Sequence, residues 1–120
     1  MADAGTLATT AQVLLAIGAN ATAAQILVAN TNYWILYAES EMEMESEGKG
    51  LVANYATITA SYKQWLASVA AERASWHAIK SNPNAWQLAT SQTKVNMVND
   101  TWQNFLKKIK DKDVIDSMNL

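Results

Sequence analysis

Cysteine is absent from these 120 residues, proline occurs once, glycine four times and histidine once. Without cysteine there is no disulfide framework, no thiolate nucleophile and no thiolate metal site, so packing alone must hold the fold; the compartment stays open, and a reducing one fits. Basic residues are missing from the first 47 positions. The start, Met1-Ala2-Asp3-Ala4-Gly5-Thr6, therefore lacks the basic n-region of a signal peptide despite the apolar stretch Val13 to Ile17. No segment reaches the roughly 18 apolar residues of a membrane span, and a soluble protein is expected. Charged residues make up only 17% of the chain and the net charge is -2, against 50% hydrophobic residues, which excludes a disordered chain and fits one domain with one core.

The scarce breakers divide the chain. Gly5, Gly18, Gly48, Gly50 and Pro83 bound stretches rich in helix formers. Thr9 and Gln12 stand in capping-box spacing before Val13, Leu14 and Ile17, and Gly18 is a C-terminal stop, so a short helix is expected over about residues 10 to 17. Asn20 or Thr22 caps a second helix over about 21 to 45, whose apolar positions include Ile26, Leu27, Tyr33, Trp34, Tyr37 and Ala38. Its end is unusual. Glu39, Glu41, Glu43, Glu45 and Glu47 alternate with Ser40, Met42, Met44 and Ser46, a period-two pattern that belongs to strands, and carboxylates oppose the dipole at a helix C-terminus. Fraying or an extended ribbon is expected there.

After Gly48-Lys49-Gly50, the positions Tyr55, Ile58, Tyr62, Trp65, Val69, Glu72, Trp76 and Ile79 follow three- and four-residue steps. They predict a helix over 51 to 80, roughly 45 Å long at 1.5 Å per residue, ended by Ser81-Asn82-Pro83-Asn84. A loop through Trp86 to Ala89 follows. A further helix from Thr90 or Ser91 carries the stripe Val95, Val98, Trp102, Phe105 and Ile109, which matches the long helix in period. The two pack as an antiparallel hairpin closed by the first two helices. The fold class is thus all-α: a small helical bundle with a short N-terminal helix, two long helices forming a hairpin with a fourth, and an extended C-terminal tail. Residues 1–112 make the domain and 113–120 the tail.

No catalytic constellation emerges from spacing. His77 neighbours Trp76 beside the packed stripe, and a half-covered structural imidazole is the simpler reading than a ligand or base. Oxygen-rich Glu39 to Glu47 would suit a hard cation, yet it lacks the Asp-rich loop and central Gly of an EF-hand, so a solvated face or an electrostatic contact is preferred. Gly48-Lys49-Gly50 is too short for a phosphate loop. Cofactors and metals are therefore not expected. Lys107, Lys108, Lys110 and Lys112, offset by Asp111 and Asp113, are a weak nucleic-acid signal in a chain of pI 5.2.

Charge is polarised along the chain. Up to Glu47 there are six acidic and no basic residues, -6; from Gly48 onward nine basic and five acidic residues give +4, which sum to the net -2. On opposite flanks these regions would let one copy meet the next head to tail; the alternative is pairing of Lys-rich helix and acidic segment inside one molecule. Trp65, Trp76 and Trp102 read as core, and Trp86 and Trp34, beside Tyr33 and Tyr37, are candidates for partial exposure at an interface, with core the preferred reading for any single one. The tail's Val114, Ile115, Met118 and Leu120 fold back or dock on a partner, and docking is preferred.

Thr9 to Gln25 as a short helix turning into a longer one, Tyr37-Ala38-Glu39-Ser40-Glu41 at the end of that second helix, the long helix around Ala71 to Ile79, and Thr90 to Lys110 with Val95-Asn96-Met97-Val98-Asn99-Asp100 leading into Phe105-Leu106-Lys107-Lys108 together resemble the head-to-tail adaptor, or connector, proteins of tailed bacteriophages. The resemblance covers about residues 7 to 110. It implies a non-enzymatic virion component at the neck, a homo-oligomeric ring commonly of twelve copies between the portal protein and the tail. It gives Val114, Ile115, Met118 and Leu120 the role of a portal-docking arm. It also makes Glu39, Glu41, Glu43, Glu45 and Glu47 an acidic channel or inter-subunit surface past which DNA moves without specific binding, with Lys107, Lys108 and Lys110 as the basic inter-subunit surface. The unbroken Glu alternation and the Asn82-Pro83-Asn84 loop depart from the family's usual pattern. Competing readings are a helical-hairpin dimer, regulatory or secreted, with its seam along Tyr55 to Ile79, and a small DNA-binding packaging subunit that uses the lysines.

Overall fold

The structure is a computed structural model that describes residues 5–17, 28–46, 50–81 and 88–118. Five helices, and no strand, occur among the described residues: α1 (Thr10–Ile17), α2 (Val28–Glu45), α3 (Ala60–Ser81), α4 (Leu88–Lys108) and α5 (Lys112–Met118). The all-α expectation holds.

α1 begins where its capping box stands. The Thr9 N–H donates to Gln12 Oε1 at 2.8 Å, and the Gln12 N–H donates to Thr9 Oγ1 at 3.2 Å, so two otherwise orphan donors are satisfied reciprocally. Val13 is thereby turned into the core, while Leu15 points out. The expected stop at Gly18, the caps at Asn20 and Thr22, and Ile26 and Leu27 lie outside the described residues.

α2 continues through the Glu alternation to Glu45, so no ribbon forms. Two residues turn a helix by about 200°, which sends successive carboxylates to opposite sides, and Glu39, Glu41 and Glu43 each meet donors there. The helix stops at Ser46, whose N–H donates to the Met42 carbonyl at 3.0 Å and whose Oγ donates to the Glu43 carbonyl at 2.8 Å.

The long helix starts at Ala60, nine residues later than its stripe predicts. Gly50 adopts φ +81°, and the Gly50 and Val52 N–H groups donate to the Glu43 carboxylate at 3.2 and 2.7 Å, which draws this backbone away from a helical path. A single 3-10 turn follows at Tyr55–Thr57, then Ile58 is extended (φ -67°, ψ 138°). The Thr59 carbonyl accepts the Tyr62 and Lys63 N–H groups and opens α3. Leu51 and Ile58 are buried, so the segment seals the bundle without being helical.

α3 is the central helix, packed against α1, α2 and α4. Leu66, Ala70, Ala74 and Ala78 are fully buried and form a face beside the expected stripe; of that stripe, Val69 and Ile79 are buried while Tyr62, Trp65, Glu72 and Trp76 are half-buried. Small side chains there let three neighbours approach one axis closely. Trp65 meets Phe105 at 5.6 Å between ring centroids, and Arg73 meets Trp102 at 4.4 Å, so α4 runs antiparallel to α3 as the hairpin requires. Val98, Trp102, Phe105 and Ile109 are all buried, as their spacing predicts. α4 begins at Leu88 because Leu88 and Ala89 are helix formers with no breaker beside them. Residues 82–87, with Pro83 and Trp86, lie outside the described residues, as does the side chain of Val95.

The expected extended tail is corrected to a helix. Asp111 Oδ1 accepts the Asp113 N–H at 2.9 Å and caps α5, and the Met118 carbonyl accepts the Thr59 N–H at 3.0 Å. Met118 is fully buried, and Val114 and Ile115 are half-buried against the same core; Leu120 lies outside the described residues.

Candidate assembly surface and the ionic cluster behind it

The acidic run is divided among three jobs inside the molecule. Glu39 is buried and accepts the Thr6 and Leu7 N–H groups at 3.1 and 2.8 Å, which ties the N-terminal segment to α2. Glu43 orders residues 50–52 as described. Glu41 accepts Arg73 Nη2 at 2.7 Å and Nε at 3.2 Å, together with His77 Nε2 at 2.6 Å. A continuous solvated acidic face over Glu39 to Glu47 is thus not formed; Glu45 is half-buried with no ion pair among the described residues, and Glu47 lies outside them.

Arg73 and His77 stand one turn apart on α3 and address Glu41 across the α2–α3 seam. Arg73 also stacks on Trp76 at 4.1 Å and on Trp102 of α4 at 4.4 Å, so its guanidinium joins three helices. His77 lies edge-on to Tyr37 at 4.8 Å and to Trp76 at 5.0 Å. Burial of the Glu41 carboxyl works against its charge, but hydrogen bonds from Arg73 and His77 and their positive charge prevail and hold its pKa below the ordinary carboxylate value. Chemically the cluster is a clamp: the carboxylate's lone pairs are engaged by donors, and Nε2 carries its proton toward Glu41. The expectation of a structural imidazole for His77 agrees with this. Among the described residues, no three His, Asp or Glu side chains converge as a metal site.

The clamp fixes α2 with apolar residues on both faces. Thr31, Ile35, Ala38 and Met42 face the core, whereas Tyr33 (63% exposed), Leu36, Tyr37 and Met44 (78% exposed) form an outward ridge with Ser40 between them. Trp34 beside them is half-buried and packs on the core. On α4 the outward residues are Asn96, Met97, Asp100, Gln103, Asn104, Lys107 and Lys108, and Lys110 is exposed just beyond. Among the described residues, none of the three lysines forms an ion pair. Among the described residues, the expected pairing of the Lys-rich helix with the acidic run inside one molecule is therefore not made by Lys107, Lys108 or Lys110, while Glu47 lies outside them. A groove of about 720 Å³ separates the N-terminal segment and α1 from Tyr55, Lys63, Ala67 and Ala71.

No protein-family model, curated protein or solved structure matches this chain. Its own surfaces carry the functional argument. No described helix is long and apolar enough to cross a membrane. Lys107, Lys108 and Lys110, expected as a basic inter-subunit surface, are exposed, whereas sequence reasoning missed Arg73 altogether. The signal was present: Arg73 is the chain's single arginine and stands four residues before its single histidine, on one helix face.

Proposed function

We propose that this chain is a non-enzymatic assembly subunit of the phage head-to-tail adaptor type, repeated in a ring between a portal protein and tail or neck proteins in the virion. The observation that carries the reading is the outward ridge of α2. Tyr33, Leu36, Tyr37 and Met44 remain exposed on a helix whose other face is locked by Glu39, Glu41 and Glu43. Exposed contiguous aromatic and apolar side chains on a rigid element favour burial against a protein surface. The exposed lysines at the end of α4 add a second unmatched surface, suited to orienting neighbours by charge.

Two assignments of that reading take a different form. Glu39, Glu41 and Glu43 have internal partners, so an acidic channel lining would rest mainly on residues beyond the described ones, and Glu45 remains available for an inter-subunit surface. Met118 belongs to the core, so portal docking through the C-terminal segment would use the outer sides of Val114 and Ile115. Native mass spectrometry at micromolar concentration, with and without a purified portal ring, tests the proposal. A large ring, or a monomer that joins only the portal, is the expected result; a stable dimer indifferent to the portal overturns it and favours the helical-hairpin alternative.

A further inference from the structure

We infer that the α2 ridge of one copy docks, in parallel register, on the outward face of α4 of a second copy. The inference rests on the assembly reading above and specifies its self-contact. α2 and α4 both pack on α3 and scarcely on each other, so the two faces are separate surfaces of one molecule. A contact between unlike faces is heterologous and propagates to a closed ring or an open filament.

Charge and polarity select this occupant. The ridge is aromatic toward its N-terminal end, at Tyr33, Leu36 and Tyr37, and acidic toward its C-terminal end, where Glu43 and Glu45 flank Met44; α2 carries no basic residue. The α4 face has the matching gradient, with exposed Met97 toward its N-terminal end and, in its last turn, exposed Lys107 and Lys108, which have no ion-pair partner among the described residues. Laid parallel with Tyr33 opposite Met97, the two helices bring Ser40 opposite Asn104 and Met44 opposite Lys108. Glu43 and Glu45 then stand beside Lys107 and Lys108. An antiparallel arrangement sets the carboxylates against Met97 and Asp100 and leaves the lysines against tyrosines. The Glu43 carboxylate keeps its backbone donors in this contact, since Gly50 and Val52 reach it from within its own molecule.

The absence of cysteine makes the test direct. Ser40 and Asn104 are both exposed, so Ser40→Cys and Asn104→Cys introduce the protein's only thiols. Oxidised with and without a purified portal ring, a mixture of the two single variants should give disulfide-linked dimers, and the double variant a ladder of multimers, while neither single variant links to itself. Glu45→Lys or Lys108→Glu should each lower the linked yield severalfold, and combining them should restore it. Linking of the Ser40→Cys variant to itself would mean an isologous α2–α2 contact and overturn the inference. An unlinked mixture in samples that native mass spectrometry shows to be oligomeric would overturn this contact and leave the assembly reading standing. Monomers throughout, with portal and without, would overturn both.

Discussion

His77 Nε2 lies 2.6 Å from Glu41 Oε1, and that contact joins the central helix to the helix carrying the exposed ridge. Glu41 is a shared acceptor: Arg73 reaches the same carboxylate from one turn earlier, and its guanidinium lies against Trp102 of α4. Together with the buried Ile35, Ala38 and Met42, one ionised carboxyl group thus helps to set the direction in which the α2 ridge faces.

Stability should consequently fall with acid in a way that Glu41 controls. Burial raises its pKa, but the hydrogen bonds and charges of Arg73 and His77 lower it further, so the folded value lies below the unfolded value near 4.5. A depressed folded pKa contributes stability that is complete above the unfolded pKa and is lost as pH falls through the folded pKa. Thermal melts of the parent and of Glu41→Gln, followed from pH 7 down to about pH 3, should converge as the pH drops. Parallel curves with an unchanged gap would show that Glu41 does not titrate with folding.

Replacing Arg73 by Lys preserves the charge but removes the two-nitrogen grip on Glu41 and the planar stack between Trp76 and Trp102. Arg73→Lys should cost about 1–2 kcal/mol in urea unfolding, from a partly desolvated cation–π contact and a charge-assisted hydrogen bond. Tryptophan emission should shift in the folded state as well, because the guanidinium that covers both indoles is gone. A variant equal to the parent in both readouts would assign the packing to the tryptophans alone.

The helices with capping boxes or regular stripes were legible: Thr9 and Gln12 marked α1, and Val98, Trp102, Phe105 and Ile109 marked the buried side of α4. What escaped was set by long-range partners. The Glu alternation looks like a strand by period, yet backbone donors from residues 6, 7, 50 and 52 and the side chains of Arg73 and His77 receive its carboxylates on a helix. The stripe from Tyr55 continues smoothly in sequence through Thr59, but Glu43 and the Met118 carbonyl capture the backbone before Ala60. α2 shows no single apolar side because both of its faces are apolar, one for the core and one exposed. Apart from Gly50 and Val52, seven and nine residues from Glu43, the carboxylates' partners lie 32 or more residues away.

Gly5 should tolerate no side chain. A Cβ there would collide with Ile35 Cγ2 and lie 2.8 Å from the Glu39 carboxylate, in the turn where Glu39 takes the next two backbone N–H groups. Gly5→Ala should destabilise by about 1–3 kcal/mol, the usual cost of overpacking. Glu39→Ala removes the acceptor itself and leaves the Thr6 and Leu7 donors without it, at about 1–3 kcal/mol if Leu7 stays buried. Amide hydrogen exchange separates the two effects: Glu39→Ala should accelerate exchange at Leu7 far more than at Val13, whose N–H donates to the Thr9 carbonyl at 3.2 Å. Equal rates at Leu7 in parent and variant would mean that Glu39 does not hold the segment.

The C-terminal segment offers the sharpest contrast between an arm and a core element. Met118 is fully buried in the cluster that includes Leu51 and Ile58, and its carbonyl fixes Thr59 at the start of α3. Met118→Ala should therefore cost about 2–5 kcal/mol, as for a buried large-to-small change, and lower the melting temperature by on the order of 10 °C or more. Deletion of residues 114–120 should be more severe, because it exposes Ile58 and frees the segment before α3 as well. A detachable docking arm predicts the opposite: the truncated chain would melt like the parent and lose only its attachment to the portal. Differential scanning calorimetry of the truncation, paired with portal pull-down of the full chain and of Val114→Ser, discriminates the two. Val114 is half-buried, so loss of portal binding by Val114→Ser with its melting temperature little changed would assign the outer side of α5 to the portal while Met118 keeps the inner side for the fold.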